Sequence, residues 1–355
     1  MELLFSVERA RRCNLHFYFD DPYFAPSWFY PRLHALIMPH IGQARTIQIR
    51  AGSNWKQLCV ILNNAVNINN LSLAMSKPSL QNLPTPPLNV PRNLKELTLS
   101  HIVYHESFHE IMKQVEKLDC VVTTDLWKWL GSSVQLKRLR IRDIDRTELG
   151  LTHPNFLVPL ESLIHLSVSL RLYYSIAPRL SLPHLRHLSL HQYSNSCHKP
   201  RDCNYPLRTL RIELDVHHIH LLPVVMNPQL EYLEISRHLY GSELLTLLSE
   251  LLNPSQGLTL LPSGATFPGP LLKYFRLIYR SLGVPYDAKY EAPVSERLAS
   301  ILTRAPHLKL DVVAQTRPPG YEGLMKQFPS QVKCYQRVYS VPLDELYEES
   351  RKDNE

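Results

Sequence analysis

Three groups of residues in this chain have the types and spacing for chemistry. The first is His105-Glu106-Ser107-Phe108-His109, which matches H-E-x-x-H. On a helix that pattern puts two imidazoles on one face for zinc, with the glutamate as general base. A third protein ligand is required, and the extended form of the motif fails because Met112 and Val115 stand where Gly and His belong. Both histidines also fall beside an apolar stripe at helical spacing, Phe108, Ile111, Met112, Val115 and Leu118. They read as boundary histidines in a chance match, since the chain holds 17 histidines. The second group is Cys197 and Cys203 with His191 and His198 nearby. Five intervening residues exceed the tight Cys spacing of zinc modules, and Tyr193 to Tyr205 reads as a loop. His217-His218-Ile219-His220 reads as solvated loop histidines. With no G-x-S-x-G, phosphate loop or dinucleotide fingerprint in the sequence, no enzymatic activity, metal or cofactor is expected.

The third group is Arg138, Arg140 and Arg142, which alternate with Leu139 and Ile141 in QLKRLRIRDI (Gln135 to Ile144). Alternate side chains of a strand share a face, so three guanidinium groups would project together. The element that carries them is one copy of a phrase that recurs down the chain. It appears as NLKELTL (Asn93 to Leu99), QLKRLRI (Gln135 to Ile141), SLIHLSV (Ser162 to Val168), HLRHLSL (His184 to Leu190), PLRTLRI (Pro206 to Ile212) and QLEYLEI (Gln229 to Ile235). Looser copies are ARTIQI (Ala44 to Ile49), NINNLSL (Asn67 to Leu73), LLKYFRL (Leu271 to Leu277) and HLKLDV (His307 to Val312). Prolines 91, 159, 183, 206, 228, 270 and 306 stand just ahead of a copy, where a residue without a backbone donor suits the start of a strand.

This rhythm is the leucine-rich-repeat signature, with spacings mostly inside the usual range of about 20–29 residues. The predicted fold is α/β: a leucine-rich-repeat solenoid, a curved horseshoe with a parallel sheet on its concave face and helices, 3₁₀ turns and loops on its convex face. The expected organisation is an N-terminal cap over 1–43, the solenoid over 44–312, a C-terminal cap over 313–343 and an acidic flexible tail over 344–355. Two steps between copies, Leu97 to Leu139 and Leu233 to Phe275, span 42 residues each and need an inserted helix or a degenerate extra repeat. Convex helices are predicted over 55–65, 106–118, 125–130, 242–253 and 295–304, with a short helix over 1–13 and a closing strand over 335–341. Steps of 22 and 23 residues, such as Leu166 to Leu188, leave no room for a full helix and predict extended or 3₁₀ chain.

Those repeats resemble the F-box/leucine-rich-repeat proteins expanded in higher fungi. VERARRCNLHFYF (Val7 to Phe19) looks like the segment after the F-box in that family, and LPHLRHLSL (Leu182 to Leu190) looks like its repeats. The resemblance implies an intracellular protein-interaction module of the ubiquitin-ligase substrate-recognition type. Only Met1 to Ser6 precede the matching segment. The F-box is therefore taken as absent, with no direct binding to the ligase adaptor expected. The alternative is a freestanding leucine-rich scaffold or a basic nucleic-acid-associated protein without a ubiquitin role.

If the leucines face inward, the residues between them line the opposite face of the sheet. Candidate partner-binding residues there are Arg138, Arg140, Arg142, His165, His187, His191, Arg211 and Tyr232. Arginine forks hold carboxylates and phosphates, so an acidic or phosphorylated protein partner is expected. The net charge of +7 permits nucleic acid, but the bases are dispersed and aromatic recognition signatures are missing, which disfavours it. No apolar run is long enough to span a membrane. The start, MELLFSVERARR, carries charges where a secretory core would lie, which predicts a cytoplasmic or nuclear location with reduced thiols.

Overall fold

A computed structural model describes residues 15–21, 35, 38–51, 60, 62–75, 91, 93–100, 106–121, 126–142, 157–191, 205–214, 225, 227–237, 241–252, 267–279, 291–314 and 321–336. It is a mixed α/β fold with a long parallel sheet of 13 strands. The chain divides into two compact units, Met1–Arg186 and His187–Glu355.

In the first unit the strands are β1 (Leu15–Asp21), β2 (Ala44–Ala51), β3 (Asn70–Met75), β4 (Glu96–Ser100), β5 (Lys117–Val121), β6 (Arg138–Arg142) and β8 (His165–Ser169), side by side in that order. A separate two-stranded ribbon pairs β7 (Val158–Pro159) with β9 (Leu180–Ser181). Helices α1 (His109–Met112), α2 (Leu126–Gly131) and α3 (Leu170–Ile176) connect strands, and short 3₁₀ turns at Glu106–Phe108 and Ala177–Arg179 abut α1 and α3. In the second unit β10 (His187–His191), β11 (Thr209–Leu214), β12 (Tyr232–Arg237), β13 (Tyr274–Tyr279), β14 (Lys309–Ala314) and β15 (Val332–Gln336) run in sequence order. Helices α4 (Gly241–Leu252), α5 (Glu291–Arg304) and α6 (Tyr321–Gln327) lie between them in the chain.

The apolar positions of the recurring phrase stack in register. Ile47, Leu71, Leu97, Leu118, Leu139 and Leu166 are successive cross-strand partners in the first unit. Leu188, Leu210, Leu233, Phe275, Leu310 and Val332 do the same in the second. All of these side chains are buried. A second buried column lies two residues further on, including Leu99, Cys120, Ile141 and Val168. Phe108 and Trp129 meet edge to face at 5.2 Å behind the first unit's columns, and Phe267 meets Phe275 at 6.0 Å in the second. In α4, Leu244, Leu247, Leu248, Leu251 and Leu252 are buried, the spacing of one helical face.

The starts of β4, β5, β6, β8, β12 and β13 repeat one backbone arrangement. Two consecutive N–H groups converge on one carbonyl of the preceding strand: Glu116 and Lys117 on Lys95, Lys137 and Arg138 on Glu116, Glu231 and Tyr232 on Arg208. A turn lies just ahead of a strand, closed for example by Leu185 N–H on the Leu182 carbonyl and by Leu308 N–H on that of Ala305. Pro183 and Pro306 occupy the second position of those turns, where a fixed φ near −65° is favoured. Side-chain amides tie one turn to the previous one: Asn67 to Gly42 O at 2.7 Å, Gln114 to Pro91 O at 2.6 Å, Asn227 to Tyr205 O at 3.0 Å and Gln331 to Ala305 O at 3.1 Å. Each satisfies a turn carbonyl that the parallel ladder leaves over.

Several expectations are corrected. The helix expected over 106–118 stops at Met112, and Leu118 lies inside β5. Val115, Leu118 and Cys120 are buried, so the first long step holds a degenerate extra copy of the phrase. The second long step holds α4, and β12 pairs directly with β13. The step from Leu166 to Leu188 accommodates α3, because Ser169 ends β8 and at once caps the helix by accepting from Leu172 N–H at 3.3 Å. The helix near 125–130 runs Leu126–Gly131, and those near 242–253 and 295–304 begin at Gly241 and Glu291. The last strand is Val332–Gln336. The helix over 1–13, most of 55–65, the loop with Cys197 and Cys203, His217 to His220 and the tail lie outside the described residues.

The register makes Leu188 and its neighbour Ser189 opposite in consequence. Leu188→Ala should lower the unfolding free energy by about 2–5 kcal/mol through lost transfer energy and a cavity. Ser189→Ala should change it by under about 0.5 kcal/mol. Equal losses in urea melts would overturn this register.

Candidate functional site

Strand β6 buries Leu139 and Ile141 and leaves Arg138 and Arg140 exposed, with Arg142 half-buried. In register, Arg138 stands between Lys117 of β5 and His165 of β8, and Arg140 between Asp119 and Ser167. The strand spacing of about 4.8 Å brings those neighbours within side-chain reach. Arg142 does not point to open solvent alone. Its Nε donates to Asp119 Oδ1 at 2.8 Å, and its Nη2 donates to Ser100 Oγ at 3.2 Å, so the side chain lies across β5.

The residues just before these strands carry a second set of charges. Glu116 accepts from Lys95 Nζ at 2.9 Å and from Lys137 Nζ at 2.8 Å, one lysine on each carboxylate oxygen. Those two hydrogen bonds hold its carboxyl well below the usual range, at about 2. Lys117 is hydrogen-bonded to Glu96. Around β6, then, Lys95 and Lys137 share Glu116, Lys117 has Glu96 and Arg142 has Asp119. Among the described residues no acid pairs with Arg138 or Arg140. His165 and Ser167 are half-buried beside them, while Ser169, expected on the same face, is buried as a helix cap.

The other candidates lie in the second unit, where the same face is internally neutralised. Arg211, Glu234, Arg276 and Asp311 are cross-strand partners on four successive strands, alternating in sign. Arg211 Nε is 2.9 Å from Glu234 Oε1, Arg276 Nη1 is 3.9 Å from Glu234 Oε2, and Arg276 Nη2 is 3.8 Å from Asp311 Oδ2. Glu234 is 1% exposed, and a carboxylate so buried depends on such partners. The Tyr232 hydroxyl donates to Glu234 Oε2 at 2.9 Å, and burial together with that negative charge pushes its pKa up. Burial likewise raises the Asp311 carboxyl, against the pull of Arg276, Lys333 and Lys309. His191 Nδ1 lies 3.0 Å from Glu213 Oε2. His187 opens β10, half-buried opposite Thr209. Glu234 and Ser236 are both buried. Of the expected residues, Arg138, Arg140, Arg142 and His165 therefore come together in one unit, and His187, His191, Arg211 and Tyr232 in the other.

The H-E-x-x-H segment contributes to a shallow open cleft of about 580 Å³ lined by Glu106, His109, Glu110, Lys128 and Ser132. The Ser132 hydroxyl donates to the Lys128 carbonyl at 3.0 Å, so His109 Nδ1, 2.9 Å from Ser132 Oγ, is the donor in that pair. Glu110 is tied to Lys113 at 2.6 Å. Among the described residues no three His, Cys, Asp or Glu side chains are placed to hold a metal; His105 lies outside them. The Cys120 thiol is pushed up to about 12 by burial, which leaves it unreactive.

Reasoning from sequence missed Glu116 and Asp119, the acids that neutralise two of the four bases of this strand segment. The signal was present, because the 42-residue step is twice a short repeat and Val115, Leu118 and Cys120 keep the spacing of the phrase. Compared with known proteins, the chain matches no protein-family model and no curated protein.

Two measurements test these assignments. Because Glu116 is held below its ordinary value of 4.5, its ion pairs contribute fully above that pH and are lost as pH falls toward about 2. Glu116→Gln should therefore lower stability near neutral pH, by up to about 1 kcal/mol for each exposed pair, and match the wild type near pH 2. A difference that persists at that pH would show the pairs are not the cause. For the cleft, purified chain should hold less than one zinc per molecule by elemental analysis. A stoichiometric zinc removed by His109→Ala would restore the metalloprotease reading.

Proposed function

We propose that the chain is a leucine-rich-repeat array that binds a protein partner through the polar face of its sheet, with Arg138 and Arg140 holding anionic groups of that partner. The observation that carries this reading is the uncompensated pair itself. Neighbouring bases on the face have acids, and these two, exposed on β6, have none among the described residues. Guanidinium groups in that state favour carboxylates or phosphates, which they bind through paired hydrogen bonds. The period-two burial and the in-register columns support the repeat reading. In that reading the chain is the partner-holding part of a protein of the F-box/leucine-rich-repeat type, acting by recognition and without catalysis in a cytoplasmic or nuclear setting.

The test is an anisotropy titration of a labelled acidic peptide at low and at physiological salt. Arg140→Ala should weaken binding roughly tenfold, about 1.4 kcal/mol, and the affinity should fall with salt. Arg304 donates to the Leu252 carbonyl at 3.2 Å and so joins α5 to the end of α4, which makes it a poor control. Lys326, exposed on α6, is the better control, and Lys326→Ala should bind as the wild type does. Equal affinity for wild type and Arg140→Ala would overturn this site.

A further inference from the structure

We infer that the β6 site reads two acidic side chains separated by one residue, acid–any–acid, on an extended protein segment lying along the strand. The inference rests on the site proposed above and adds what that site selects. Four bases succeed one another on this stretch, Lys137, Arg138, Arg140 and Arg142. The outer two are already neutralised, Lys137 by Glu116 at 2.8 Å and Arg142 by Asp119 at 2.8 Å. The remainder is a footprint of two positive charges with a neutral pair at each end. Their backbones are two residues apart on a strand, about 6.6–6.8 Å. An extended partner segment repeats its side chains at that same spacing and on one face. Adjacent acids would point to opposite faces, so only one of them could reach the pair.

Asp119 also sets the side from which the partner comes. It is the cross-strand neighbour of Arg140 on β5, whereas Ser167 is the neighbour on β8. A carboxylate approaching over β5 meets an ion pair whose positive charge is already engaged, Arg142 on Asp119, and one approaching over β8 meets a small hydroxyl side chain. Asp119 thus acts twice: it withdraws Arg142 from the footprint and closes the β5 side. A nucleic-acid strand fits less well. Its binding draws on a longer basic track and on aromatic stacking platforms. The positions flanking the pair are Lys117, Asp119, His165 and Ser167, which offer a single small ring, the His165 imidazole, and no succession of stacking platforms.

The experiment uses the full chain and labelled peptides in a glycine–serine background, the two-acid peptides all having the same net charge. One series carries two glutamates as acid–acid, acid–any–acid or acid–any–any–acid. Another peptide carries three as acid–any–acid–any–acid. Wild type should bind acid–any–acid about fivefold tighter than the other two-acid peptides, and the third acid should add nothing beyond a statistical factor. In Asp119→Asn, Arg142 is released, and the third acid should now add about fivefold. Equal binding of all two-acid peptides, or a third-acid gain already in wild type, overturns the spacing inference. If Arg140→Ala still weakens every peptide in that case, the site itself stands. Loss of any Arg140 dependence overturns both. Tighter binding of a single-stranded oligonucleotide than of any peptide at equal charge overturns the partner class. The wild-type peptide series decides the question by itself should Asp119→Asn fail to fold.

Discussion

The structure depends on a register constraint at the starts of β4, β5, β6, β8, β12 and β13. One carbonyl of the preceding strand receives two consecutive N–H groups of the next, as Glu116 does from Lys137 and Arg138. That shared acceptor leaves the new strand no freedom to slide, and a slip by one residue would turn every leucine outward. Because the same contact recurs from strand to strand, residues at equivalent positions form columns. The leucine column is dry, and the intervening columns that pass through Arg138 and Arg140 are polar. Leu139 and Leu166 stand in the first kind, Arg140 and Ser167 in the second.

Columns make charge a collective matter. Equivalent residues on neighbouring parallel strands sit about 4.8 Å apart, so like charges in one column repel and unlike charges pair. The second unit resolves this by alternation: Arg211, Glu234, Arg276 and Asp311 compensate one another, deep enough that Glu234 and Arg276 are almost out of water. The column just ahead repeats the device at the surface in both units. Glu231 sits between Arg208 and Lys273, and Glu116 between Lys95 and Lys137. Against that background Arg138 and Arg140 stand out, since the acids their columns offer among the described residues are spent elsewhere, Glu96 on Lys117 and Asp119 on Arg142.

Much of the fold was legible because the phrase encodes its own register. Period-two burial, turn prolines and short spacings all report the same strand, and strands such as Arg138–Arg142 and His187–His191 fall where the leucines place them. Strand β5 was hidden because Ile111, Met112, Val115 and Leu118 also satisfy helical spacing. The pattern is a short helix and then a strand, and the two periods coincide over that span. Missing β5 hid Glu116 and Asp119 as well, so three arginines appeared equally bare. Ser169 misled for a different reason. It keeps the alternation of its strand while its hydroxyl caps α3, and capping is decided by the helix that begins at Leu170, not by the strand itself.

The depth of a charged column decides whether it can take part in recognition. A partner that used Arg211 or Arg276 would have to compete with Glu234, and the displaced carboxylate, buried with Tyr232 bonded to it, would be left without its cations. Stripping one member from a buried pair costs far more than an exposed contact returns. Arg138 and Arg140 carry no such debt. They are exposed on a strand whose neighbouring charges are held in their own pairs, and among the described residues no acid would be displaced by an anion bound there. In the site proposed here, an array of otherwise similar strands would become locally selective through the distribution of a few acids, with its apolar columns left unchanged.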